Sequence, residues 1–165
     1  MRKSLAASLI VLFIVGTVSH VYAAQIEPYH PNQKIYIYSK ITGTASPKDL
    51  KLKMQSFSFG YQKIKMSGSG YIKTIDNRQK GDCVPFSGIL KIYDDSMKNN
   101  FSINTHGVSC KSSSGTKQMN GYFTILDSNG AFGKMNTQEV GSLTLTVASD
   151  NKVIDGTMKS TVKFG

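Results

Sequence analysis

The stretch LKLKMQSFSFGY at residues 50–61 alternates apolar and polar residues, and similar alternation recurs along the rest of the chain. Its two leucines and Met54 occupy alternate positions, and the apolar parity then shifts to Phe57 and Phe59. Alternation with a period of two places successive side chains on opposite faces of a β-strand. A shift of parity inside one run indicates a bulge or a bend. The stretch therefore predicts a bulged strand with one buried face.

Short alternating runs, separated by Gly, Asn, Asp and Ser, continue through the chain. They read KIYIYSKITG, GYIKTI, FSGILKIY, FSINTHGVSC, GYFTIL, GSLTLTVAS and GTMKSTVKF. Strands of this length and spacing are typical of sandwiches and barrels. We expect an all-β fold, a single antiparallel β-barrel of about eight strands, with a β-sandwich as the alternative, because closure removes exposed strand edges. The glycines of SGSG at 67–70 predict a flexible turn or bulge.

The N-terminus has the organisation of a secretory leader. Arg2 and Lys3 precede an apolar run from Leu5 to Val18 that is short for a membrane span, and Val21-Tyr22-Ala23 fits a cleavage site. Cleavage after Ala23 would leave 142 of the 165 residues, enough for one domain. We expect an exported protein, periplasmic or extracellular. The predicted division is a signal peptide at 1–23, an extended lead-in at 24–33 and a single β-barrel domain at 34–165.

The chain contains two cysteines, Cys83 and Cys110. In an exported domain, two cysteines most simply form one disulfide. A zinc site with His30 and His106 lacks the usual ligand spacing, and a reactive thiol would need His106 as its base. We therefore predict a Cys83–Cys110 disulfide, with no metal and no cofactor.

The segment GYFTILDSNGAFGKMNTQEVGSLTLTV at 121–147 carries a strand–turn–strand pattern of the form GTFTI-x-GGTG-x-F-x-x-A-x-G-x-G. The matching residues are Gly121, Phe123, Thr124, Ile125, Gly130, Phe132 and Gly141. The chain departs from the pattern at Asp127–Asn129, in place of the double glycine and threonine, and at Met135, in place of a small residue. On these residues it resembles exported bacterial barrels of the allene oxide cyclase and dirigent-like group. The resemblance implies a barrel and no activity.

Basic residues are concentrated in the first half of the expected mature chain. Its formal net charge is +8, of which residues 24–80 carry +7 and residues 81–165 carry +1. Lysines in this half occur two residues apart, and residues two apart lie on the same face of a strand. These lysines are Lys51 and Lys53, Lys63 and Lys65, and then Lys73. We predict either a solvated face that keeps the protein soluble or a docking surface for anionic lipid, lipopolysaccharide or an anionic glycan. Nucleic acid is not an expected partner, since no stacking motif is visible.

The barrel interior is a second candidate site. Its expected lining residues are Phe57, Phe59, Phe86, Leu90, Phe123 and Ile125. Such an interior is either filled by its own side chains or open to a small apolar ligand. No recognisable catalytic motif is present, so the sequence favours a small binding barrel. The alternatives are a structural or accessory component or secreted effector of the bacterial envelope, and an enzyme with an unrecognised site.

Overall fold

The structure, a computed structural model, describes residues 32–46, 49–75, 82–135 and 140–164. The predicted signal peptide and residues 24–31 of the predicted lead-in lie outside these ranges. The strands are β1 (Lys34–Ala45), β2 (Leu50–Phe59), β3 (Gln62–Thr74), β4 (Cys83–Asp94), β5 (Asn100–Lys111), β6 (Lys117–Asn129), β7 (Val140–Val147) and β8 (Lys152–Lys163), with a 3₁₀ helix at Gly130–Phe132. No helix in the described ranges combines the length and the apolar character of a membrane-crossing helix.

The eight strands form a closed barrel in which each strand pairs antiparallel with the next. The last strand returns to the first: β8 pairs with β1, with Ile35 opposite Val162. The prediction of an antiparallel barrel is therefore confirmed, and the sandwich alternative is wrong. Closure leaves no strand of the barrel with an unpaired edge, which is the usual physical advantage of this architecture.

Bulges keep the inward face apolar where the alternation breaks. The registers of β2 against β3 and of β1 against β2 shift beside Met54 and Phe57. Both side chains are buried, although they stand at opposite parity in the sequence. An extra residue in one strand reverses the parity of everything beyond it. The bulge predicted from residues 50–61 is thus confirmed.

The prediction for SGSG at 67–70 was wrong, because these residues lie in the middle of β3. Gly68 is buried, and a Cβ there would come within 3.3–3.7 Å of Met54, Leu52 and Ile92. A Cβ on Gly70 would clash with the carbonyl oxygen of Ile89. The glycines are therefore explained by close packing inside a strand rather than by a turn.

One end of the barrel is filled by phenylalanines, and we call it the closed end. Phe132, from the 3₁₀ helix, is fully buried. Its ring centroid lies 4.9 Å from that of Phe59, 5.3 Å from Phe101 and 6.3 Å from Phe57, each in an edge-to-face arrangement. Phe164 adds a further edge contact with Phe59 at 5.7 Å. Aromatic pairs of this geometry add to the stabilisation from buried area.

The turn between β4 and β5 holds the 3₁₀ helix in place. Asn99 accepts a hydrogen bond from the backbone N–H of Ala131 at 2.9 Å, and its side-chain amide donates to Asp94 at 2.7 Å. Burial raises the pKa of Asp94, but hydrogen bonds from Asn99 and Ser96 outweigh it, so that the pKa lies below its ordinary value. The Asp94 carboxylate therefore stays ionised and anchors the turn.

The disulfide joins Cys83 of β4 to Cys110 of β5, which are direct register partners. Neither cysteine is free. The predicted bridge is confirmed, and the metal-ligand and nucleophile alternatives for Cys83 are wrong because both sulfurs are bonded to each other.

Replacing Phe132 by alanine should destabilise the barrel by about 3–5 kcal/mol, because a fully buried ring is lost and its pocket cannot collapse. Urea unfolding followed by circular dichroism measures the change. Leu126→Ala is the control, since Leu126 is 47% exposed and should change stability by no more than about 0.5 kcal/mol. Equal effects of the two variants would contradict the role of Phe132 as the closed-end plug.

Replacing both bridged cysteines by alanine should cost about 3–4 kcal/mol, because the bridge spans a sequence separation of 27 and restricts the unfolded chain. The free energy of unfolding in urea should fall in Cys83→Ala/Cys110→Ala and be insensitive to reductant. Ser87→Ala/His106→Ala alters another direct register pair of the same two strands and serves as the control. A double cysteine variant as stable as the control would show that the disulfide does not stabilise the barrel.

Candidate functional site at the open end of the barrel

The end of the barrel opposite the phenylalanine plug contains a cavity of about 350 Å³. We call this end the mouth. The residues lining the cavity are Ala45, Ser46, Leu50, Ile72, Thr74, Asp82, Val84, Phe86, Ser109, Lys111, Lys117, Met119 and Val147. They come from strand ends and adjoining loop positions of β1 to β7, so they meet only because the sheet is closed.

Phe86 forms part of the cavity wall and is almost completely buried. Its ring lies against Gly121 of β6, where a Cβ would come within 2.8 Å of the ring carbon Cζ. Gly121 therefore leaves room for the ring inside the barrel. Ile72 and Met119, each 8% exposed, add apolar surface to the same cavity. This part of the mouth is a preformed apolar surface.

Polar groups line the cavity beside this apolar surface. Lys111 and Lys117 are direct register partners on β5 and β6, and Asp82 adjoins the start of β4. The backbone N–H of Lys111 donates to the carbonyl oxygen of Asp82 at 2.6 Å, which holds the ends of β4 and β5 together. The cavity thus combines an apolar wall with charged groups at the strand ends.

The structure separates the predicted lumen residues into two groups. Phe86 lines the cavity, whereas Phe57, Phe59, Leu90, Phe123 and Ile125 are buried but are not among its lining residues. Phe57 and Phe59 pack against the Phe132 plug. The ring of Phe123 fills the space at Gly141, where any Cβ would clash with it. Much of the interior is therefore filled with side chains, and the cavity is confined to the mouth.

The lysines at 51, 53, 63, 65 and 73 are all exposed on the outer surface of β2 and β3, and we call them the basic face. Lys53 lies opposite Ser67, which is two residues from Lys65, so these two lysines are diagonal neighbours. Lys73 stands apart, with its ammonium 5.2 Å from the centre of the Tyr71 ring. Four of the five lysines thus follow one another along the β2–β3 hairpin.

Two lysines of the basic face pair with acids. Lys51 contacts Asp49 and Lys65 contacts Asp95, both at 2.9 Å and both exposed. The hydrogen bond from Lys51 to Asp49, reinforced by their opposite charges, raises the pKa of Lys51. Exposed pairs of this kind contribute little to stability. No ion pair involving Lys53, Lys63 or Lys73 occurs among the described residues.

Sequence reasoning missed two further lysines beside the basic face. Lys91 of β4 lies across Ser69 from Lys51, and Lys152 of β8 lies across Thr44 from Lys51. The alternation in GILKIY indicated an outward Lys91, but strand neighbours were needed to place it. Lys111 and Lys117, the two lysines that line the cavity, were also missed. The alternation in KQMNGYFTI already places Lys117 on the same face as Met119 and Phe123.

No known protein family, curated protein sequence or solved structure matches this chain.

Proposed function

We propose that this protein is an exported small β-barrel binding protein that holds a small apolar ligand in the mouth. The observation that carries the proposal is the cavity of about 350 Å³ with a wall that includes Ile72, Phe86 and Met119. Ligand sites are commonly preformed concave surfaces of roughly 300–1,000 Å³ that are mostly apolar with a few polar groups. Each methylene buried there would contribute about 0.8 kcal/mol.

Binding is favoured over catalysis by the residues that the cavity brings together. Its described lining includes no histidine and no cysteine, and the hydroxyl groups there come from Ser46, Thr74 and Ser109. An activated nucleophile needs a neighbouring base within hydrogen-bond reach. The lining supports holding a ligand more directly than it supports acyl or group transfer.

Export is supported by the leader-like N-terminus and by the disulfide. Disulfides persist in oxidising compartments such as the periplasm and the extracellular space. The bridge joins strand positions next to Asp82 and Lys111, so it would also hold the mouth in shape in such a compartment. The proposed site of action is therefore outside the cytoplasm.

Filling the cavity should abolish ligand binding. Ala45 lies at the end of β1 and lines the cavity, so Ala45→Phe should place a ring in it. The measurement is the fluorescence increase of the neutral apolar probe N-phenylnaphthylamine on titration with the mature protein. Wild type should enhance the fluorescence, and Ala45→Phe should reduce the enhancement by about tenfold at equal protein concentration, because the probe loses its buried apolar surface.

Thr44→Phe is the matched control, because Thr44 is the neighbouring residue and is exposed on the outer surface. It should bind the probe as wild type does, and circular dichroism should show both variants folded. Absence of binding by wild type, or undiminished binding by folded Ala45→Phe, would refute a ligand site in the mouth.

The basic face supports a second candidate function, docking to an anionic envelope or host surface. The favouring observation is that Lys51, Lys53, Lys63 and Lys65 are exposed and successive along one hairpin. Each lysine near an anionic membrane can contribute about 1 kcal/mol, and the attraction falls off within a Debye length. The proposed partner is anionic lipid; lipopolysaccharide and anionic glycans offer the same charge chemistry.

Removing charge from the basic face should weaken sedimentation with anionic vesicles. Lys51→Gln/Lys53→Gln/Lys63→Gln should bind such vesicles at least about tenfold more weakly than wild type, and wild-type binding should weaken steeply as salt rises. Neutral vesicles should bind neither protein.

The control is Lys98→Gln/Lys134→Gln/Lys163→Gln, which removes the same charge from positions off the basic face. An equal loss in both triple variants would indicate a general charge effect. Wild-type binding that is independent of salt would also reject docking and leave the lysines as a solubility feature.

A further inference from the structure

Two lysines in the barrel stand at inward positions. In β5, Phe101, Ile103 and Thr105 are buried on the inner face, and Ser109 and Lys111 continue the same parity. In β6, Lys117 has the parity of the buried Met119 and Phe123. Both lysines line the cavity. A polar residue at an inward position breaks the alternation by which the sequence specifies the interior, and such exceptions point to function.

Every other lysine in the described strands stands at an outward position beside a buried or half-buried neighbour. Solubility accounts for outward lysines, whereas Lys111, which is exposed, and Lys117, which is half-buried, stand at the inward parity where their strands reach the cavity. These two are also direct register partners, and like charges directly opposite each other destabilise a sheet. An anion placed between them would relieve that repulsion.

The described lining residues of the cavity carry a formal net charge of one positive unit. The lining contains two ammonium groups, of Lys111 and Lys117, and one carboxylate, of Asp82. Neither lysine forms an ion pair within the described ranges. Asp82 balances one positive charge of the group, and no further carboxylate among the described lining residues balances the other.

A hydroxyl group accompanies these charges. Ser109 is 7% exposed and lines the cavity on the inner face of β5, between the apolar wall and Lys111. Its side chain has no hydrogen-bond partner in the part of the chain that the structure describes. Among the described residues, Asn100 Oδ1 is the buried side-chain oxygen without a partner, so the Ser109 hydroxyl oxygen is accessible from the cavity and can form a hydrogen bond with a ligand there.

We propose that the mouth binds an amphiphile with one anionic headgroup, specifically a free aliphatic monocarboxylate. This inference rests on the proposed ligand site and adds the chemical class of the ligand. The aliphatic tail packs against Phe86, Ile72 and Met119. The carboxylate lies between Lys111 and Lys117 and accepts a hydrogen bond from Ser109. Charge-assisted hydrogen bonds of this type are about twice as strong as neutral ones.

The test compares three probes that share one alkyl chain: octanoate, octanol and octylamine. Isothermal titration calorimetry on the mature wild-type protein should give the lowest Kd for octanoate, at least about tenfold below that of octanol, with octylamine weakest. The comparison within the wild-type protein requires no variant to fold.

Variants then locate the headgroup. In Lys111→Gln/Lys117→Gln, the Kd for octanoate should rise about tenfold, while the Kd for octanol should stay unchanged. The matched control is Lys34→Gln/Lys163→Gln, because Lys34 and Lys163 are also direct register partners but lie on the outer surface. It removes the same net charge and should leave both constants unchanged.

The outcomes separate the two proposals. If octanoate and octanol bind wild type equally well, the apolar site stands and the carboxylate assignment is overturned. If Lys34→Gln/Lys163→Gln weakens octanoate binding as much as Lys111→Gln/Lys117→Gln does, the effect is a general attraction to positive charge. The carboxylate assignment is then also overturned. If no probe binds wild type, the ligand site itself is refuted, and the assignment falls with it.

Discussion

The backbone hydrogen bonds between β1 and β8 are the constraint on which the rest of the barrel depends. Without them the sheet would have two unpaired edges, and its inner face would have no single enclosed volume to fill. With them, each strand residue is assigned to the inside or the outside by its parity. The bulges beside Met54 and Phe57 show how closely this assignment is kept, since the strands change register rather than expose an aromatic ring.

Closure produces two ends with different physical characters. At one end, Phe132 packs edge to face with Phe57, Phe59 and Phe101, and the rings fill the interior. At the other, the interior side chains are spaced widely enough to leave a cavity. The plug that stabilises the barrel and the cavity proposed to bind a ligand thus lie in separate parts of one small molecule. The mouth can then contain unfavourable features, such as the opposed Lys111 and Lys117, because the plug and the disulfide stabilise the surrounding barrel.

Much of the architecture could be predicted from alternation alone, but the cavity that we propose as a binding site could not. Residues 50–61 indicated a strand and its bulge, and the presence of two cysteines indicated the bridge. SGSG at 67–70 was misread because glycine signals a turn locally, whereas here its small size matters for packing across the sheet. The cavity depends on which strand ends meet after closure, which no single strand reveals. Lys111 has the same parity in the sequence as the buried residues Phe101 and Ile103. The sequence alone does not show that this face lines the end of a closed barrel.

The pairing of β1 with β8 also has a kinetic consequence. Ile35 and Val162 lie near opposite ends of the chain, so their contact closes a very long loop. Long-range strand pairing slows folding because the entropy of loop closure is lost before the contacts form. During synthesis, the first strand must wait for the last to emerge before the barrel can be completed. A chain with this topology cannot close its barrel until its last strand has been made.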